Sequence, residues 1–152
     1  MGEILFYHLT EHPLERALPA LVERSLARGW RVVVQSGEPD RVARLSELLW
    51  TFRADSFVAN GHAGAEPGRS RPEDQPVWLT HGEDVPNGAP VRFLVDGAEP
   101  GDLSGYERAI FMFDGHDEAA LAQARAEWKA RKGSAELTYW KQNEAGGWEK
   151  GG

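Results

Sequence analysis

"ILFYHLTEHPLERALPALVERSLARGWRVVVQ", residues 4–35, decides the fold of this chain. Its opening run, ILFYHL at 4–9, is built from strand-forming apolar types. Pro13 then opens a segment in which Leu14, Leu18, Leu21, Val22 and Leu26 recur at helical spacing. Pro19 falls inside that pattern, where it is expected to kink or weaken the helix. Gly29 is placed to end it, and WRVVVQ at 30–35 is a second strand. Residues 38–49 repeat apolar positions at 42, 45, 48 and 49, with Pro39 suited to a first helical turn. The unit is β-α-β-α, which predicts an α/β sheet, parallel at least in its first half and covered by helices.

Working outward, residues 59–75 (ANGHAGAEPGRSRPEDQ) are rich in Gly, Pro and charge without periodicity and read as a mobile loop. PVWLT (76–80), VRFLV (91–95) and RAIFMF (108–113) read as strands. A helix is expected over 117–132 and a last strand at ELTYW (136–140). The expected organisation is one domain over residues 1–140 and a flexible tail over 141–152 that frays.

The chain of 152 residues is 41% hydrophobic, enough for one buried core, and carries a net charge of −7 from 17 basic and 24 acidic residues. That balance repels nucleic acid unless the cations gather on one face, so direct single-strand binding starts at a disadvantage. The absence of cysteine excludes disulfides, thiolate metal sites and cysteine nucleophiles, and fits a reducing compartment. No run of 18 apolar residues occurs, and the expectation is a soluble cytoplasmic protein with no membrane partner.

Catalytic signatures are sparse. The turn after the first strand, HLTEHP, has no glycine to let a phosphate approach the following helix, and no Walker-type or nucleophile-elbow motif occurs. HLTEH (8–12) matches a zinc-protease pattern literally, but that chemistry needs both histidines on one helical face. His8 ends a strand and His12 precedes a proline, so the two should not converge. Two strands end alike, FLVDG (93–97) and FMFDG (111–115). Asp96 and Asp114 at one sheet edge would suit a magnesium-dependent phosphoryl-transfer enzyme, against the simpler reading that Asp-Gly turns the chain after a strand.

The helix near the C-terminus places Leu121, Arg125, Trp128 and Lys132 within about 60° of one another, with Lys129 about 60° further round. Ala119, Ala122, Ala126 and Ala130 lie on roughly the opposite side. If the alanines pack on the sheet, Trp128 turns outward beside cations, which suits an acidic ligand with an apolar end. The alternative is a solvated face whose Trp128 packs under a neighbouring loop. In "LLWTFRADSFV" (48–58), Trp50, Phe52 and Phe57 cannot all be buried by one face, so at least one is expected to be exposed as an interface anchor.

These residues resemble the chi subunit of bacterial DNA polymerase III holoenzyme, a clamp-loader accessory. The similarity rests on FYHL followed by a long helix, RGWRVVV, LSELLWTFRADSFV and AEWKARKGSAELTYW, in the family's order. It implies a three-layer, largely parallel α/β fold, Rossmann-like without the phosphate loop, with no catalytic activity and no cofactor. It also implies a non-catalytic replication adaptor that joins the clamp loader, through the psi subunit, to the acidic, hydrophobic-ended C-terminal tail of single-stranded-DNA-binding protein, and touches DNA only indirectly. Carried over, the tail pocket is Arg125, Trp128, Lys129, Lys132 and Thr138, and the psi interface is Trp50, Phe52 and Phe57. Leu121 stands where some relatives have a lysine, so one tail contact is expected to be either missing or replaced by Lys132.

Overall fold

The computed structural model describes residues 2–53, 57–64 and 71–151. β1 (Glu3–Leu9) leads to α1 (Leu14–Ala27), β2 (Val32–Ser36) and α2 (Pro39–Thr51). After the two-residue β3 (Gly61–His62) and a 3-10 turn (Pro72–Asp74) come β4 (Val77–Thr80), β5 (Val91–Val95) and β6 (Arg108–Asp114). α3 (Glu118–Arg131), β7 (Glu136–Gln142) and β8 (Trp148–Gly151) complete the described order.

The strands form one sheet in the order β3-β4-β2-β5-β6-β1-β7-β8, parallel throughout except for β8, which runs antiparallel to β7. The connections obey one chirality. From β1 through β2 to β4 the chain steps one way across the sheet, and α1 and α2 pack on one face; from β6 to β7 it steps the other way, and α3 packs on the opposite face. A right-handed crossover requires that division. The core is split accordingly, with Leu5, Leu18, Val34, Leu45, Leu49 and Phe93 on the α1/α2 side and Ile4, Phe6, Leu94, Phe111 and Ala124 on the α3 side. The architecture is therefore three-layered α/β, as the sequence predicts.

Among the described residues the α3 face carries that helix alone, and the remaining strands are covered by the connections at 81–90 and 96–107. Arg92, fully buried as the second residue of β5, holds them down. It donates to Gln35 Oε1 at 2.9 and 3.0 Å, to the carbonyls of Gly82 and Asp84, and to the Tyr106 hydroxyl at 3.1 Å. A buried guanidinium is tolerated because its donors find oxygens.

Two expectations need correction. The boundary at residue 140 falls inside β7, and residues 141–151, expected to fray, are folded into a hairpin. Asn143 Oδ1 accepts from Ala145 N and Gly147 N, and Gly146 adopts φ 84° in the turn, so polar side-chain capping replaces an apolar signal. In the 59–75 stretch, expected to lack structure, β3 pairs with β4; residues 65–70 lie outside the described residues. α1 runs from Leu14 to Ala27 with Pro19 inside it and buried.

Candidate functional site

α3 is started by Asp117, whose Oδ1 accepts from Ala119 N at 2.9 Å and Ala120 N at 3.3 Å. Glu118 in its first turn and Lys129 and Arg131 in its last complement the helix dipole. The packed face is not the alanine face. Ala119, Ala122, Ala126 and Ala130 are exposed, whereas Ala124 is buried and Trp128 is half-buried against the sheet. Alanine gains little from burial, so the large ring decides which side of the helix turns inward.

Trp128 packs edge-on to Phe6 of β1 (centroids 5.3 Å apart, 62°) and to Tyr139 of β7 (6.1 Å, 80°). Phe113 lies 6.3 Å from Tyr139 and 5.1 Å from His8, and the Tyr139 hydroxyl is hydrogen-bonded to His8 Nδ1. These rings, with Leu121, Ala124, Arg125 and Lys129, line a groove of about 700 Å³. Burial holds the His8 imidazole below its ordinary pKa, and the cationic neighbours Lys141, His116 and Arg125 press in the same direction. Arg131 is paired with Glu127 at 2.9 Å; among the described residues Arg125 and Lys129 have no such carboxylate partner. The result is an apolar aromatic floor with a cationic rim.

Of the residues expected in this pocket, Arg125, Trp128 and Lys129 come together, and Leu121 contributes apolar lining in place of a cation. Lys132 follows α3 as its C-cap and does not line the groove. Thr138 belongs to the other face of the sheet. Side chains alternate along β7, so Leu137 and Tyr139 face α3 while Thr138 and Trp140 face α1. Period-two alternation in ELTYW held that information; Tyr139 is the residue to name in place of Thr138.

The aromatics near the end of α2 divide differently. Trp50 is 44% and Phe57 59% exposed, the two large exposed hydrophobics among the described residues, and they stack at 5.1 Å and 24°. Phe52 is half-buried against the α1/α2 core with the Arg53 guanidinium 5.0 Å over its ring, so it is not part of the exposed pair. Residues 54–56, within the quoted stretch, lie outside the described residues.

The carboxyl ends of β1, β2, β5 and β6 frame a second cleft, about 730 Å³, where α/β sheets of this kind bind phosphates. Here the required groups are committed elsewhere. The backbone N–H groups of Thr10, Glu11 and His12 all donate to Gln142 Oε1, at 3.2, 2.9 and 2.9 Å. Carboxylates occupy the helix starts, with Glu15 on α1, Glu38 and Asp40 on α2, and Asp117 and Glu118 on α3. Asp96 and Asp114 do line the same cleft, but Asp96 accepts from Ser36 Oγ at 2.7 Å and pairs with Arg41 at 3.3 Å. Asp114 Oδ1 accepts from His116 N at 2.8 Å and closes the turn after β6. These are turn and ion-pair roles rather than a magnesium pair. His8 sits on β1 facing Tyr139, and His12, ahead of α1, bonds Gln142 Nε2 at 3.0 Å, so HLTEH brings no two ligands together on a helix. Among the described residues no group of three or more His, Cys, Asp or Glu is placed to hold a metal ion, and no described helix is long and apolar enough to cross a membrane.

The fold and groove define a class: a doubly covered α/β domain whose phosphate position is closed by its own side chains and whose open site is an aromatic, cation-rimmed surface. The chain belongs to the DNA polymerase III chi subunit, HolC, family, whose sequence model matches residues 1–137. It is thus an accessory subunit of the replicative polymerase assembly. A search of curated proteins gives no match.

Proposed function

We propose that the protein is a non-catalytic adaptor that couples the clamp loader to single-stranded-DNA-binding protein by gripping the acidic C-terminal tail of that protein in the α3 groove. The observation that carries this reading is the pairing of an aromatic floor, Phe6, Trp128 and Tyr139, with the exposed cations Arg125 and Lys129 in one groove. A tail ending in an aromatic residue needs both: the ring fills the floor, and its carboxylates meet the rim. The stacked, exposed Trp50 and Phe57 supply the second contact, an apolar patch at the far end of α2 fit for the psi subunit.

Calorimetric titration with an acidic peptide ending in Pro-Phe, beside the same peptide amidated at its C-terminus, tests the reading. The free-acid peptide should bind, bind less well as salt rises, and lose affinity on amidation. Equal binding of both forms, or none, overturns it.

A further inference from the structure

A second groove lies on the opposite face of the sheet, between α1 and the β7–β8 hairpin. It encloses about 530 Å³ and is lined by His12, Arg16, Ala20, Arg24, Trp140 and Trp148, among others. Most of the hairpin lies beyond the family match, which ends at residue 137. Arg16, Ala20 and Arg24 fall at four-residue intervals and so share one face of α1, with the small Ala20 leaving the space between the two guanidiniums open. Both arginines are exposed, and neither makes an ion pair among the described residues. Lys150 stands directly opposite Trp140 in the hairpin register and adds a third cation on this side. The edge is therefore basic in a chain of net charge −7.

One atom in the wall of this groove is unfinished. Trp140 Nε1 is buried and has no hydrogen-bond acceptor, the one such buried side-chain polar atom among the described residues. An indole N–H in that condition wants an oxygen, and a native structure rarely leaves one without it. The rings themselves are occupied: Tyr7 stacks on Trp140 at 6.5 Å and 16° and meets Trp148 edge-on at 4.8 Å. Tyr7 covers one face of Trp140, and the chain's net charge of −7 repels a polyanionic strand, which turns the choice away from single-stranded nucleic acid and toward a short chain that offers carboxylates and carbonyls. Residues eight apart on a helix lie about 12 Å from one another. That span matches carboxylates four residues apart on an extended peptide, at about 13 Å.

We infer that the α1/hairpin groove is a docking site for an extended acidic segment of a partner protein. Its carboxylates sit on Arg16 and Arg24, and the groove wall shifts on binding so that a backbone carbonyl accepts from the Trp140 indole, whose N–H is closed off in the free chain. The site is independent of the α3 groove, from which the sheet separates it, and stands whether or not that groove takes a tail.

The test is an NMR titration of the full chain with acetyl-Gly-Glu-Gly-Ser-Gly-Glu-Gly-amide, a peptide with neither a free C-terminal carboxylate nor an aromatic ring. Trp140→Phe assigns the Trp140 indole resonance among the six tryptophans. The expected result is a progressive shift of that resonance, with apparent affinity at least tenfold weaker in Arg16→Glu/Arg24→Glu and within twofold of the parent in Arg125→Ala. Arg16→Gln/Arg24→Gln, a milder pair, should give an intermediate loss and guards against misfolding of the reversal. The inference is overturned by an unmoved Trp140 resonance, by a shift indifferent to the arginines, or by oligothymidylate binding more tightly than the peptide. Loss of binding in Arg125→Ala alone would assign the peptide to the α3 groove and likewise overturn it.

Discussion

The α3 groove and the Trp50–Phe57 pair use the same kind of side chain to opposite effect. In the groove each ring is pinned by another element: Trp128 by Phe6 and Tyr139, and Tyr139 by His8. At the end of α2 the two rings have chiefly each other. The first arrangement contributes to folding before any ligand arrives and presents a preformed shape; the second leaves apolar area in water that only a partner can cover. Charge separates them as well, because Arg125 and Lys129 rim the groove while Arg53, between the exposed pair in sequence, is paired with Glu23. Under the proposed function, the groove selects an anionic ligand and the pair is buried by an apolar one.

Substitutions can break that contrast. Trp128→Ala should have the largest effect, lowering stability by about 2–4 kcal/mol in denaturant titration because it empties the space between Phe6 and Tyr139. An unchanged unfolding midpoint would show that the ring is not part of the packed layer. Arg125→Ala should leave stability within about 0.5 kcal/mol yet weaken an acidic, Phe-ended peptide by about 1.5–3 kcal/mol, since an exposed side chain is lost together with a charged hydrogen bond. Trp50→Ser with Phe57→Ser should change stability by less than about 1 kcal/mol and leave the peptide's affinity alone, while raising solubility. A drop in peptide binding there would merge the two surfaces into one.

The smallest effect is the pH dependence. His8 lies in the groove with its pKa held down by burial first, then by Lys141, His116 and Arg125, against the single pull of Asp114. The proton is thus less welcome in the folded state than in the unfolded one. This contribution to stability is complete above the ordinary histidine value and is lost as pH falls through the lowered one. A carboxylate bound beside Arg125 reverses the local balance and favours the imidazolium. Peptide affinity should therefore rise a few-fold between about pH 7.5 and about pH 5.5, and His8→Leu should flatten that rise.

Much of this was legible in the sequence because its signals are strong and local. Val32–Val34 is a continuous apolar run and Val91–Val95 is one interrupted only by Arg92, as strands covered on both faces should be, and Leu14 to Leu26 repeats at helical spacing. The LLW…FV stretch, residues 48–58, raised the question of exposed aromatics, and two of its three rings are exposed. What sequence reading missed was set by tertiary pairing. β8, WEKG, has no apolar run and exists because Asn143 and Gly146 turn the chain back onto β7. The orientation of α3 stays open in the sequence because a helix with alanines on one side and a tryptophan among cations on the other has no clear stripe; the aromatic neighbours on β1 and β7 decide it. The closure of the phosphate position by Gln142 joins residues 130 or more apart in the chain, which no local pattern encodes.

The position of β1 governs how the protein is made as well as how it stands. Both neighbours of β1 are β6 and β7, whose residues begin at Arg108 and run to Gln142. During translation at about 5–20 residues per second, the apolar ILFYHL segment emerges well before its flanking strands and waits on the order of ten seconds for them. Until then the nascent chain can close α1, β2, α2 and β4 on one another but not the centre of the sheet. A ribosome stalled before Arg108 should hold a chain whose β1 is open to chaperones and to proteases, and synthesis of β6 through β7 converts it to the protected domain.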